Sequence, residues 1–184
     1  MTGTTGEPVS VTVLIPTLQE ASAIDTCLDA IARQTHPGIL ETLVIDGGSD
    51  DGTQALAAAH PGVRVLDNPH RIQSAALNIG IDAAKGDVIV RVDGHCVIAD
   101  DYVERCVAAL EESGAAMVGG GMTPVAHGPV QEGIADAMAS RFGAGPARFH
   151  TGGEAGWVDT VYLGAYRREV FDRVSEISRR VIPH

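Results

Sequence analysis

Five short runs rich in aliphatic and β-branched residues recur through the first two thirds of the chain, and helix-length segments separate them. The runs are Val9 to Ile15, Glu41 to Ile45, Val63 to Leu66, Asp87 to Val92 and Ala116 to Val118. Ile24, Cys27, Leu28 and Ile31 recur at i, i+3, i+4 and i+7 between the first two runs, with Ser22 expected as N-cap and Asp25 three residues on. Thr53 to His60 reads as an Ala-rich helix. Ile72, Ala76, Ile79 and Ala83 line a third helix that closes on a C-terminal glycine, Gly86. Asp100 is expected to cap a fourth, which runs to Ser113 with Val103, Cys106, Val107 and Leu110 on its apolar face. Crossovers of helical length join parallel strands, so the fold class is α/β: a mainly parallel sheet with helices on both faces.

The chain of 184 residues suits one domain, residues 9–184, behind a loose polar lead of residues 1–8. The strand and helix pattern is clear up to residue 118 and weakens from Gly119-Gly120-Gly121 onward. There, Val130 to Arg141 reads as a helix, Phe142 to Gly156 as a Gly-rich loop, Trp157 to Leu163 as a strand and Arg167 to Val174 as a short helix.

Charge restricts what the chain binds. The net charge is -11, and the chain holds a single lysine, Lys85, so the clustered basic side chains that nucleic-acid phosphates require are missing. No nucleic-acid partner is expected. Residues 1–140 carry 6 basic and 19 acidic side chains, residues 141–184 carry 7 and 5. An acidic body that binds an anionic ligand needs a metal ion, backbone N–H groups or a few placed arginines. Cys27, Cys96 and Cys106 lack CxxC spacing and read as small core residues of a reducing compartment. No apolar run has membrane-spanning length and no export signal is visible, so a cytoplasmic location is expected, including the inner face of the membrane.

In an open α/β sheet the ligand crevice lies beyond the carboxyl ends of the strands. The residues just after the strands are Pro16, Thr17 and Glu20, then Asp46 and Asp51, then Asn68 and Arg71, then Asp93 and His95. Each has an ordinary structural explanation, since Asp46 and Asp51 suit tight turns, Asn68 before Pro69 starts turns and Glu20 suits solvent. Their convergence on one rim favours a site. The PTLQE segment after the first strand lacks the GxGxxG of a dinucleotide site, and no Walker A loop is present. Asp93-x-His95, an oxygen and a nitrogen donor on a tight turn, suits Mg²⁺ or Mn²⁺, with imidazole favouring Mn²⁺. A cation held by so few side chains completes its shell with ligand phosphates, which lets an acidic protein bind a diphosphate.

Five ordered blocks carry a resemblance: Ile15-Pro16-Thr17 with Glu20; Val44 to Thr53; Asn68-Pro69 with Arg71 to Asn78; Ala84 to Asp87; and Val92-Asp93-Gly94-His95. Gly164-Ala165-Tyr166-Arg167-Arg168 adds a later G-x-x-R-R stretch. Together they resemble the family 2 glycosyltransferases of the GT-A fold, especially the bacterial succinoglycan-type exopolysaccharide enzymes. The resemblance implies inverting transfer from a nucleotide-sugar donor, most often UDP-linked, to a polysaccharide or lipid-linked acceptor. Residues 9–118 then form the nucleotide-sugar-binding half and 119–184 an incomplete acceptor-side half. Position by position, Pro16, Thr17 and Glu20 border the nucleoside, Asp46 bonds the base and Asp51 shapes the same pocket. Asp93 stands at the first acid of the family's D-x-D, and His95 stands where its second acid, the usual metal ligand, is expected. Arg71 suits a diphosphate or sugar contact, because guanidinium meets phosphate bidentately.

Inversion also needs a general base for the acceptor hydroxyl. The resemblance implies one a few tens of residues after the G-x-x-R-R stretch, beyond the last residue here, and the final ten residues depart from the family pattern. Asp159 and Glu154 are the nearby acids that could substitute. The alternative is a donor-binding remnant that holds nucleotide and metal without transferring sugar. A nucleotidyltransferase is disfavoured, since its Gly-rich, basic loop after the first strand is missing. An incomplete acceptor side exposes apolar surface, so self-association or a membrane-bound partner is expected. Trp157 suits an acceptor sugar or, more commonly, a core position. Arg167 and Arg168 suit phosphate or solvent, and His127 and His150 have no partner visible in the sequence.

Overall fold

A computed structural model describes residues 7–121, 156–157 and 161–178, with the side chains of 174–178 excepted. The expected helix at Val130 to Arg141, the loop from Phe142, and His127, His150, Glu154 and Asp159 lie outside the described residues. The chain divides into two compact units, residues 1–118 with 165–184, and residues 119–164.

The larger unit is built on β1 (Val11–Thr17), β2 (Ile39–Asp46), β3 (Val63–Asp67) and β4 (Val88–Arg91). Between them run α1 (Ile24–Ala32), α2 (Thr53–Ala59) and α3 (Gln73–Ala83), and α4 (Tyr102–Ser113) follows β4. β5 (Met117–Gly120), β6 (Tyr162–Arg167) and α5 (Glu169–Ser178) complete the described elements. The sheet order is β3-β2-β1-β4-β6-β5. β1 to β4 are mutually parallel and β6 runs antiparallel to β4, pairing Ala165, Tyr166 and Arg167 with Val90, Ile89 and Val88. The expectation of a mainly parallel α/β sheet is met.

Burial follows the strand period of two. Leu14, Leu43, Ile45 and Ile89 meet Ala76 and Ala84 from the α3 side, with Phe171 packed against the same cluster. The alternate residues Val11, Val13, Ile15, Val44, Val88 and Val90 are also buried, the near-continuous apolar pattern of a covered parallel sheet. α3 reaches the sheet closely because Gly80 has no side chain; a Cβ there would lie 3.0 Å from both Ile45 and Leu14.

Several boundaries differ from expectation. Pro16 does not stop β1, which continues to Thr17 paired with β2. β4 pairs with β1 only as far as Leu14, so Pro16 lies where one flank of the strand is open and a missing N–H is tolerated. Neither Ser22 nor Asp100 caps its helix: the N-cap positions are Ala23 and Asp101, without side-chain cap bonds. Asp25 instead accepts a bond from His60 Nε2 at 3.0 Å, and Asp100 one from Arg33 Nε at 3.3 Å. Gly86 is not a left-handed cap, because α3 already ends at Ala83; Gly86 is required for space, as a Cβ would fall 2.4 Å from the Thr12 backbone nitrogen. Of the strand expected at Trp157 to Leu163, residues 158–160 lie outside the described residues and Tyr162 and Leu163 belong to β6; Gly119 and Gly120 belong to β5.

Arg167 is half-buried and Arg168 is exposed, and both donate to backbone carbonyls. Arg167 donates to the carbonyls of Leu110 and Ala115 at 2.6 and 3.1 Å, and Arg168 to that of Ala84 at 2.8 Å. They add donors to carbonyls at the C-terminal ends of α4 and α3, where the helix dipole favours cations; the Leu110 carbonyl also accepts from Gly114 N. In the smaller unit Trp157 is 85% exposed, contrary to the core position expected of it. No helix among the described residues is long and apolar enough to cross a membrane.

Candidate nucleotide-sugar site

In the strand order, connections leave β1 towards β2 and β3 and then return to β4 on its other side. This reversal between β1 and β4 is a topological switch point, where the loops that follow the two strands separate and leave a crevice. The paired register of β1 and β4 ends at Leu14 and Arg91, so Pro16 to Glu20 and Asp93 to Cys96 face each other beyond it.

The loop after β2 is scaffolding for the loop after β1. Asp46 is fully buried and accepts five hydrogen bonds: Oδ1 from the backbone N–H groups of Gly48 and Ser49 and from Gln54 Nε2, Oδ2 from the Thr17 and Ser49 hydroxyls. Burial pushes its carboxyl up, but the bonds from Ser49, Gln54 and Thr17 outweigh burial and hold it below the usual carboxylate range. Gln19, with a left-handed φ of 60°, donates its backbone N–H to Ser49 Oγ at 2.8 Å, and its side chain donates to Asp50 Oδ1 and accepts from the Asp50 backbone N–H. Glu20 N donates to Thr53 Oγ1 and Ala21 N to Asp51 Oδ2. Asp51 also accepts from the Thr53 hydroxyl and N–H, and the bonds from Thr53 and Ala21 hold its carboxyl low. Local Asx-type turns thus fix where Glu20 emerges.

On the opposite wall, Cys96 N closes a tight turn onto Asp93 O at 2.9 Å. Gly94 admits the β1 loop, since a Cβ there would meet Thr17 and Glu20 side-chain carbons at 3.1 and 3.2 Å. His95 Nδ1 lies 2.9 Å from Glu20 Oε1. Arg91 donates from Nε and Nη2 to Asp93 Oδ1 at 3.0 and 2.8 Å, both side chains largely buried. Asp93, His95 and Cys96 each offer a ligand atom within 4.8 Å of the other two. One carboxylate, one imidazole and one thiol so grouped fit a divalent cation.

The crevice encloses about 230 Å³. Pro16, Thr17, Glu20, Asn68, Arg71, Asp93 and His95 line it, with Leu18 and Ile72 among the apolar contributors. Asn68 is buried and shapes its own turn, accepting from His70 N and donating to Ile72 O. Arg71, at a left-handed φ of 57°, is aimed from that turn.

The structure therefore gathers seven of the sequence-predicted residues around one crevice. Asp46 and Asp51 stand behind it as loop supports. Arg91 and Cys96 were missed. The signal for Arg91 was its place two residues before Asp93, which puts both side chains on one side of an extended chain. Cys96 is half-buried on the turn after β4, next to His95, whereas Cys27 and Cys106 are core residues as expected. Burial pushes the Cys27 thiol up to about 12 and raises that of Cys106.

Residues 12–175 match the family described as Glycosyl transferase family 2. The chain belongs to that family. It is 35% identical over 168 residues to the succinoglycan biosynthesis protein ExoA of Rhizobium meliloti, covering 88% of this chain and 51% of ExoA. It is also 35% identical over 116 residues to the glycosyltransferase AglE of Haloferax volcanii, covering 60% of this chain and 38% of AglE. The chain thus spans about half, or less, of the length of these relatives. Among solved structures it is similar to Staphylococcus aureus TarS 1-349 in complex with UDP-GlcNAc, with TM-score 0.67, 17% identity and coverage of 90% and 47%. The mannosyltransferase PcManGT of Pyrobaculum calidifontis, in complex with GDP-Man and Mn²⁺, gives TM-score 0.65 at 24% identity, covering 91% and 47%. These likenesses establish the GT-A type of α/β fold.

Proposed function

We propose that this chain binds a nucleotide-diphosphate sugar, UDP-linked, with a divalent cation in the β1–β4 crevice, and serves inverting transfer of the sugar to a saccharide or lipid-linked acceptor. The observation that carries this is the meeting of Glu20, Arg71, Asp93 and His95 around one crevice at the switch point of the sheet. Pro16, Thr17 and Glu20 border the nucleoside, and Asp46 and Asp51 hold that wall in place. Arg71 pairs with diphosphate oxygens, and Asn68 holds the turn that aims it. Asp93 and His95 hold the divalent cation through one carboxylate and one imidazole. A cation bound there neutralises charge on the departing nucleoside diphosphate. Asp159 and Glu154 are the proposed bases for the acceptor hydroxyl, and the site of action is the cytoplasm or the inner face of the membrane.

A second reading is donor binding without transfer. It is favoured by the state of the carboxylates that line the crevice: Glu20 is bonded to His95 and Asp93 to Arg91, so neither is free to take a proton from an acceptor. UDP release from a panel of UDP-sugars, with and without Mn²⁺, separates the two. Metal-dependent UDP release supports the enzyme, and UDP binding without turnover supports the second reading. If calorimetry detects no binding of UDP or any UDP-sugar, neither survives.

A further inference from the structure

We propose that Asp93, His95 and Cys96 form a three-donor site that prefers a thiophilic divalent cation, Zn²⁺ or Co²⁺, to Mn²⁺ or Mg²⁺, with Glu20 as the positioning residue for His95. This rests on the reading of the crevice as a metal and diphosphate site, and refines the class of metal it takes.

Three observations converge. The three ligand atoms lie within 4.8 Å of one another, a span that a small closure brings onto one ion with bonds of about 2.0–2.3 Å. The bond from Cys96 N to Asp93 O holds the donors on a single turn, so grouping them needs no long-range rearrangement. His95 Nδ1 is held 2.9 Å from Glu20 Oε1, and the proposed ligand is then the other ring nitrogen, Nε2. A carboxylate on the second ring nitrogen is the usual companion of a metal-bound histidine, because it fixes tautomer and ring orientation.

The chemistry of the set decides the metal. Carboxylate donors alone suit Mg²⁺ and Mn²⁺, whereas imidazole and thiolate move preference towards zinc and its spectroscopic substitute cobalt. Cys96 binds as thiolate, its proton passing to the buffer. Three protein donors also leave coordination open for a diphosphate oxygen, the pattern of zinc sites that act on substrates.

Co²⁺ titration of the whole chain, followed by absorbance, tests this. The expected result is a near-ultraviolet thiolate-to-cobalt charge-transfer band, abolished by equimolar Zn²⁺ but not by equimolar Mn²⁺ or Mg²⁺. Cys96→Ser loses the band, while the double variant Cys27→Ser, Cys106→Ser keeps it. A wild-type protein that binds Co²⁺ without the band overturns the proposal, and that measurement does not depend on any variant folding. A band that persists in Cys96→Ser overturns it too. UDP binding with Mn²⁺ but no cobalt band rejects this site and leaves the nucleotide-sugar reading standing. A cobalt band with no UDP binding under any metal does the reverse.

Discussion

Glu20 and His95, 75 residues apart in the chain, meet at 2.9 Å between Oε1 and Nδ1 across the mouth of the β1–β4 crevice. One follows β1 and the other β4, so the bond sets the separation of the two loops that flank the switch point. Glu20 is placed by Thr53 and by the α1 start, where the Ala23 and Ile24 N–H groups donate to the Glu20 carbonyl. Its side chain is therefore aimed by backbone it does not itself control.

Removing that carboxylate should loosen His95 without unfolding the protein. Glu20→Ala is expected to weaken divalent-metal binding by about 10- to 100-fold, the usual cost of losing such a partner. Glu20→Gln keeps an oxygen that accepts from Nδ1–H and should recover part of the affinity. Calorimetric metal titration of both variants checks this; equal losses would deny Glu20 an orienting role.

Arg91 and Asp93 make the other bond on the rim, two donors onto one carboxylate oxygen. The pair is partly shielded from solvent, so Arg91→Ala should cost about 1.5–3 kcal/mol in urea unfolding, the range for hydrogen bonds to charged groups. Arg91→Lys should not restore it, since an ammonium cannot reproduce the forked donor geometry.

Asp46 predicts a pH dependence. Its carboxyl is held below that of the unfolded chain by the bonds from Ser49, Gln54 and Thr17, against the opposing effect of burial. The ionised group thus contributes its full stabilisation above the unfolded value of about 3.9, and loses it as pH falls through the lower folded value. Urea unfolding at about pH 6 and about pH 3 should show wild type losing more stability on acidification than Asp46→Asn. The variant should already be weaker at the higher pH, because an amide keeps one acceptor oxygen where the carboxylate used two to meet five donors.

The sequence carried the parallel strands and the crevice-facing residues because both depend on local signals: apolar runs, helical spacing and the polar residues that follow each strand. Proline at 16 and glycine at 86 misled for a shared reason. Each was read by its backbone preference, whereas the structure uses Pro16 beside an open strand flank and Gly86 for close approach to β1. The roles of Arg167 and Arg168 were illegible for another reason: their partners, the carbonyls of Leu110, Ala115 and Ala84, exist as acceptors only once α3 and α4 have ended in space. Asp46 was visible as a loop acid, but its five donors could not be counted before the β1 and β2 loops were brought together.

Gly86 gives a stability prediction independent of the site. A Cβ would stand 2.4 Å from Thr12 N and 2.6 Å from Val11 C, both backbone atoms that cannot rotate aside. Gly86→Ala should therefore destabilise by about 3 kcal/mol, the upper part of the range for overpacking. Gly80→Ala meets only the ends of Leu14 and Ile45, so the helix propensity gained should offset much of the crowding. Chemical unfolding of the two variants should rank Gly86→Ala well below Gly80→Ala.

Arg71 offers the sharpest separation of stability from binding. A left-handed φ of 57° costs an ordinary residue about 1–2 kcal/mol, while asparagine tolerates it through local hydrogen bonding. Arg71 lines the crevice, so the strained backbone is retained at a position proposed to meet diphosphate. Arg71→Asn should raise stability by up to about 1 kcal/mol relative to wild type, and Arg71→Ala, which keeps the strain, should not. Both should lose roughly tenfold or more in UDP affinity, corresponding to one charge-assisted contact of about 1.5–3 kcal/mol. Thermal unfolding alongside UDP calorimetry checks the pair. If Arg71→Asn binds UDP as tightly as wild type, the guanidinium is not a diphosphate contact, whatever its effect on stability.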